Sequence, residues 1–285
     1  VARLVTHPET ALVDVARTAD GGGRLVPAAR LEHPWRGPAE RQLPDDLAAV
    51  LQRMVGHDRV LPLGADAGSN AFMTADIRSL GGYHPAKPAA AEAVRQRLLA
   101  GVPAGPVARW LGAAAVVSPS PLSSDVLDLL AERGLVLEPE GTPAGGRVVH
   151  AVRDPLPRAR LVDSWRPAGV AAGGDGLEPF LDALASGAHD PDAVVVLDRD
   201  PTPAPVAGPE PLPRPEYLAD GLDEVILRAR TPRTALLLLA DAMAPGWRVR
   251  VNDEPATLLV ADHMLRAVAL PAGEHVVTFT YRDPA

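Results

Sequence analysis

The 285-residue chain is long enough for two domains of ordinary size. With 47% hydrophobic but only 4% aromatic residues, its cores must be built from Ala, Val and Leu. A net charge of −8 excludes a nucleic-acid footprint and gives no attraction to anionic lipid, and the absence of cysteine excludes disulfides and Cys-based metal or redox sites.

Val1–Arg17 reads as a helix or an extended entry segment, broken by Gly21–Gly23; Arg24–Pro27 is a short strand. Pro44-Asp45-Asp46 opens a helix through Met54, with Leu47, Val50, Leu51 and Met54 at helical spacing. Arg59–Leu63 is a strand, and Gly64–Pro85 is a loop region. Helices are expected over Ala89–Ala100 and Pro106–Gly112, followed by a buried strand over Ala113–Val117. Ser123 or Ser124 caps a helix to Arg133, which Gly134 ends. Leu135–Leu137, Arg147–Arg153, Arg158–Val162 and Ala193–Leu197 read as strands, with a helix over Leu177–Ser186. This alternation suggests an α/β domain.

Between Pro201 and Pro215, seven of fifteen positions are proline, which rules out helix and central strand. Beyond it, Glu224–Ala229, Ala235–Leu239, Trp247–Val251, Thr257–Val260, Leu265–Leu270 and Val276–Tyr281 are short strands punctuated by turns, as in an antiparallel sandwich. Asn252-Asp253 supplies a turn that tolerates positive φ, and Asp262-His263 sits at a hairpin. His275 reads as a turn residue. The expected fold class is α+β: an α/β domain over 1–200, a Pro-rich linker over 201–215 and a β-sandwich domain over 216–285.

The segment Leu238-Leu239-Ala240-Asp241-Ala242-Met243-Ala244-Pro245-Gly246-Trp247-Arg248-Val249-Arg250-Val251 resembles the signature of YfhO-type bacterial membrane proteins: an apolar strand, Pro-Gly-Trp, then a strand. Leu265–Val268, Pro271–His275 and Phe279-Thr280-Tyr281 continue it. Arg59–Pro62, Asn70, Gly81–Pro85, Leu111–Val117 and Leu156–Val162 are similar to upstream family elements in the same order, so the resemblance covers roughly residues 57 to 284. Asn252-Asp253 stands where the family usually has Asp-Gly.

The resemblance implies a C-type glycosyltransferase-like parent that uses lipid-phosphate-linked sugars and carries many membrane helices. This chain would be its extracytoplasmic region on the bacterial cell membrane, excised from the transmembrane region, with Val1 marking a removed start. No apolar run here reaches the length of a membrane span. The family's catalytic acid lies in an early loop, so no residue of this chain inherits it. The expected role is to shape access of a lipid-linked sugar or acceptor, without catalysis by the domain alone. The alternative is a carbohydrate-binding module or cell-envelope interaction domain acting through Trp247 or Trp165. A stand-alone enzyme would need a pocket of convergent titratable groups.

The candidate substrate-binding residues are Asn70, Tyr83, His84 and Trp247. The first three lie in a loop region on a scaffold, where binding residues concentrate, although Tyr83 also suits a packing anchor. An indole face suits a pyranose ring, but Trp after Pro-Gly more often belongs to a core. No metal site or cofactor is expected: the histidines lack HxxxH or HExxH spacing, and Gly21–Gly23 and Gly173–Gly176 lack phosphate-loop spacing. Asp198 with Asp200, and His189 with Asp190 and Asp192, read as a strand end and a turn. Ser118–Ser124 lacks a GxSxG frame and suits capping.

Overall fold

The computed structural model describes residues 14–17, 23–26, 42–82, 89–99, 104–132, 134–139, 141–169 and 176–283. They form a mixed α+β fold with several sheets. A hairpin of β1 (Asp14–Arg17) and β2 (Gly23–Val26) comes first. Helix α1 (Asp45–Val55) buries Leu47, Leu51 and Val55, carries Asp45 and Asp46 at its positive end, and stops at Gly56 with φ 53°. Strand β3 (Arg59–Pro62), a 3₁₀ turn over Gly64–Gly68 and α2 (Ala71–Thr74) follow. Next come α3 (Ala89–Leu99), α4 (Ala104–Trp110), β4 (Ala113–Ser118), α5 (Ser124–Glu132), β5 (Thr142–Ala144) and β6 (Arg147–Ala151). The Ser123 hydroxyl caps α5 by accepting from Val126 N–H.

Strands β3, β4, β6 and β5 form a four-stranded sheet in that order, with β3 and β4 parallel. Every residue of β4 is buried because both faces are covered. Helix α1 and Phe72 pack on Ala115 and Val117, while α5 and Leu135 pack on Ala113 and Val116. Leu135–Leu137, expected as a strand, makes a single bridge, Leu137 to Val152.

The remaining elements are β7 (Ala159–Val162), β8 (Trp165–Pro167), α6 (Leu177–Ala185), β9 (Val195–Leu197), β10 (Glu216–Asp220), β11 (Glu224–Thr231), β12 (Ala235–Ala242), β13 (Trp247–Val251), β14 (Glu254–Ala256), β15 (Leu259–Ala261), β16 (Leu265–Leu270) and β17 (Gly273–Tyr281). A five-stranded antiparallel sheet runs β10-β11-β17-β13-β14, and a six-stranded sheet runs β7-β12-β16-β15-β9-β8. The six-stranded sheet crosses the boundary expected at 201–215, because β7, β8 and β9 precede the proline-rich segment and β12, β15 and β16 follow it. That segment, without helix or strand, is therefore a strap between strands of joined sheets.

The six-stranded sheet is apolar on both faces. Leu237, Leu239, Val268 and Leu270 share one core with Val225, Leu227, Val277 and Phe279 of the five-stranded sheet. Leu236, Leu238, Leu265 and Ala267 face Trp110, Phe180 and Leu184 of the helical layer. This explains why Ala235–Ala240 is buried without alternation, whereas Trp247–Val251 alternates on a sheet with one wet face. Two hairpins turn on adjacent positive-φ pairs, Asn252-Asp253 and Asp262-His263. His275 lies inside β17, buried, with a ring nitrogen 3.0 Å from the Pro271 carbonyl, and is not a turn residue.

Candidate functional site

The four-stranded sheet meets the other two sheets across a network of buried charges. Arg158, directly before β7, is fully buried; its Nε and Nη2 donate to Asp241 of β12 at 2.7 Å each. Its Nη1 donates to both Asp220 oxygens of β10, at 3.0 and 2.9 Å. Asp241 also accepts from Arg59 of β3 and Arg266 of β16, and Asp220 also accepts from Arg78. Burial lifts the Asp241 carboxyl, but Arg158, Arg59 and Arg266 outweigh it and hold the group far below the carboxylate range. The same contest, won by Arg158, Arg78 and His57, holds Asp220 low. Burial lowers Arg266 to about 10, against the pull of Asp241.

On the solvent side of this network lies a cavity of about 280 Å³ lined by Gln52, His57, Asp76, Arg78 and Asp220, with Gly56 and Ile77. His57 Nδ1 is 2.9 Å from Asp220. An ionised carboxylate only accepts, so Nδ1 carries the hydrogen, and in the neutral ring Nε2 is then the acceptor. The ring stacks on Tyr217, with centroids 4.1 Å apart and planes 16° apart. Orientation of the imidazole and the hydrogen on Nδ1 are thus both set by partly buried partners. The exposed Asp76 holds φ at 56°, a backbone state that an Asx residue tolerates. The Gln52 amide donates to the Ala75 carbonyl, tying α1 to the segment that carries Asp76 and Arg78. With His57, Asp76, Arg78 and Gln52 in its lining, the cavity offers a mixture of acceptors and donors.

Comparison with known protein families, curated proteins and solved structures returned no match. Among the described residues no helix is long and apolar enough to cross a membrane, and no group of three metal-ligating side chains is found.

Of the residues expected from sequence, neither Asn70 nor Trp247 lines this cavity. Asn70 is exposed at the start of α2, where its carbonyl accepts from Met73 and Thr74. Its Oδ1 lies 2.9 Å from the place a Cβ would take on Gly82, so Gly82 leaves room for it. Tyr83 and His84 lie outside the described residues. Trp247 is partly buried against the core between the sheets. The Arg266 guanidinium covers its ring at 3.6 Å, and Tyr281 meets it at 5.4 Å. Trp165 is partly buried against the helical layer.

The other sequence candidates have structural partners. Asp198 accepts from Val260 N–H and Arg199, locking the end of β9. His189 is buried against Phe180, with Nδ1 3.0 Å from Arg166, and the Asp190 side chain accepts from Asp192 N–H in a turn. Ser118 donates to the Ser120 carbonyl. Of the two glycine runs, Gly23 begins β2 and Gly176 precedes α6, while Gly21, Gly22, Gly173 and Gly174 lie outside the described residues.

Sequence reasoning missed His57, Asp76, Arg78, Arg158, Asp220 and Asp241. One signal was available: Asp241 and Arg266 interrupt apolar strand patterns and Arg158 directly precedes one, and charges in such places require partners.

Proposed function

We propose that this chain is the extracytoplasmic region of a membrane glycosyltransferase-like protein, contacting a sugar without transferring it. The pair of sheets behind the proline strap is read as the β-sandwich expected at its C-terminal end. The motif order from Arg59 to Tyr281 supports the family reading. The observation that carries the sugar reading is the His57–Asp220 pair over its cavity. A sugar hydroxyl both donates and accepts. It finds an acceptor in Nε2 of His57, two more in Asp76, and donors in Gln52 and Arg78. The cavity lies at the small end of ligand pockets, so one sugar ring fits the reading better than a long glycan.

The carbohydrate-binding alternative is proposed here in altered form. With Arg266 stacked on Trp247, the indole face expected to hold a sugar is occupied, which moves the expected contact to the junction cavity.

The localisation is tested by expressing the complete gene with an epitope tag in this region, fractionating the cells and treating intact spheroplasts with protease. Recovery in the membrane fraction with the tag digested from outside is expected. A tag that fractionates with the cytosol and resists protease would sink the reading.

A further inference from the structure

A second cavity, of about 540 Å³, runs along the outer edge of β7 between that strand and residues 208–214 of the strap. Its volume is ordinary for a small-molecule pocket. Arg160 of β7 forms part of its wall and is only 5% exposed. Nη1 donates to the Pro157 carbonyl at 3.2 Å, but Nε and Nη2 have no acceptor among the described residues. Burial lowers this guanidinium to about 10, and the carboxylate that opposes the shift most is Asp262. Asp262 is already committed, accepting from Trp110 Nε1–H at 2.9 Å and Val196 N–H at 2.8 Å.

The other charges of this cavity are disposed differently. Arg233 is held through Nε and Nη2 by Asp163 and by the Gly208 and Glu210 carbonyls, which also pins the strap. Arg109 reaches Asp192 only at 3.8 Å. Asp154, Asp192 and Glu210 are exposed. The buried charge of the wall that lacks partners is therefore a cation, while Asp154, Asp192 and Glu210 stand toward solvent. A buried guanidinium lacking two acceptors is costly, and the group that best matches its Nε–Nη2 edge is a planar or tetrahedral oxyanion accepting two parallel hydrogen bonds.

We propose that the cavity under the proline strap takes a small oxyanion, a carboxylate or a phosphoryl group, on the Nε–Nη2 edge of Arg160. Arg109 and the exposed Arg214 of the strap guide it in. That edge is shielded from solvent, so entry requires the wall to shift. The site is separate from the junction cavity and stands whether or not that cavity binds sugar.

Inorganic phosphate and acetate are titrated separately into ¹⁵N-labelled chain, with sodium chloride at matched ionic strength, while the arginine Nε–H resonances and the melting temperature are followed. The Arg160 resonance, identified by its loss in Arg160→Met, shifts saturably, and the melting temperature rises with the same anion. Saturation by phosphate alone identifies a phosphoryl ligand; saturation by acetate as well identifies general carboxylate chemistry. Arg160→Met loses the rise in melting temperature. Arg214→Ala, an exposed position, weakens binding several-fold and serves if Arg160→Met does not fold. No saturable Arg160 shift with either anion, a shift that chloride reproduces, or an unchanged phosphate response in the variants overturns the proposal.

Discussion

The Asp241 carboxylate takes the Nε and Nη2 hydrogens of Arg158 side by side, 2.7 Å each, in a bidentate pair closed to solvent at the arginine. Through its third nitrogen the same guanidinium holds Asp220. One side chain thereby ties β12 of the six-stranded sheet to β10 of the five-stranded sheet. Arg59 and Arg78 bring in the four-stranded sheet. The position of His57, and hence the junction cavity, depends on this tie.

Asp241→Asn removes the charge and leaves Arg158, Arg59 and Arg266 without their shared counter-ion. Breaking one partner of a buried pair costs about 3–5 kcal/mol, and urea unfolding at neutral pH should show a loss of that size. The pH dependence follows from the depressed carboxyl. Its contribution is complete above about pH 4, where an unfolded Asp is ionised, and is lost as the pH falls below that. The variant should therefore lose less stability in acid than the wild type does.

Two buried groups oppose each other at higher pH. Burial lifts Asp262 to about 6, against the hydrogen bonds from Val196 and Trp110, so its contribution is present below about pH 4 and lost as pH rises through 6. Burial, with Arg166 beside it, lowers His189 to about 4, so its contribution is present above about pH 6.5 and lost as pH falls toward 4. His189→Phe should leave Asp262 unopposed: relative to wild type, stability should rise by at least about 1 kcal/mol on going from neutral pH to pH 4. Asp262→Asn should show the opposite slope. Urea midpoints measured across this range decide it, and parallel curves for all three chains would contradict it.

Gly112 lies between α4 and β4 with φ 79°, and a Cβ there would come within 3.1 Å of the Arg158 Cα and N. Its carbonyl also accepts from Arg59 N–H. Gly112→Ala should therefore cost about 2 kcal/mol, combining a left-handed backbone with a crowded Arg158. An unfolding midpoint indistinguishable from wild type would show that the junction tolerates displacement of Arg158.

Much of the fold was legible locally. Leu47, Leu51 and Val55 mark a helix face, Val249 between Arg248 and Arg250 marks a one-sided strand, and Asn252-Asp253 marks its turn. These patterns arise within a few residues. Strands β5, β8, β10 and β14 were not legible, because three of them have only three residues and their identity comes from distant partners, as when Trp165 pairs with Val195. For the same reason the proline strap looked like a domain boundary: nothing near Leu161 announces that it pairs with Leu237. The cavity was hidden likewise, since His57 and Asp220 stand 163 positions apart and form no spacing motif. Trp247 drew attention because an indole face suits a sugar ring, and only the fold places Arg266 on that face.

The central claim is that the His57–Asp220 cavity receives a sugar ring. The direct measurement is an amide-resolved NMR titration of the chain with D-glucose, D-galactose and D-mannose, repeated on His57→Phe, which preserves the stack on Tyr217 and removes both ring nitrogens. Saturable shifts at Gly56, His57, Ile77 and Arg78 with at least one sugar, absent in the variant, are predicted. No saturable shift with any of the three, or shifts centred on Trp165 or Trp247 that survive in His57→Phe, would contradict the account.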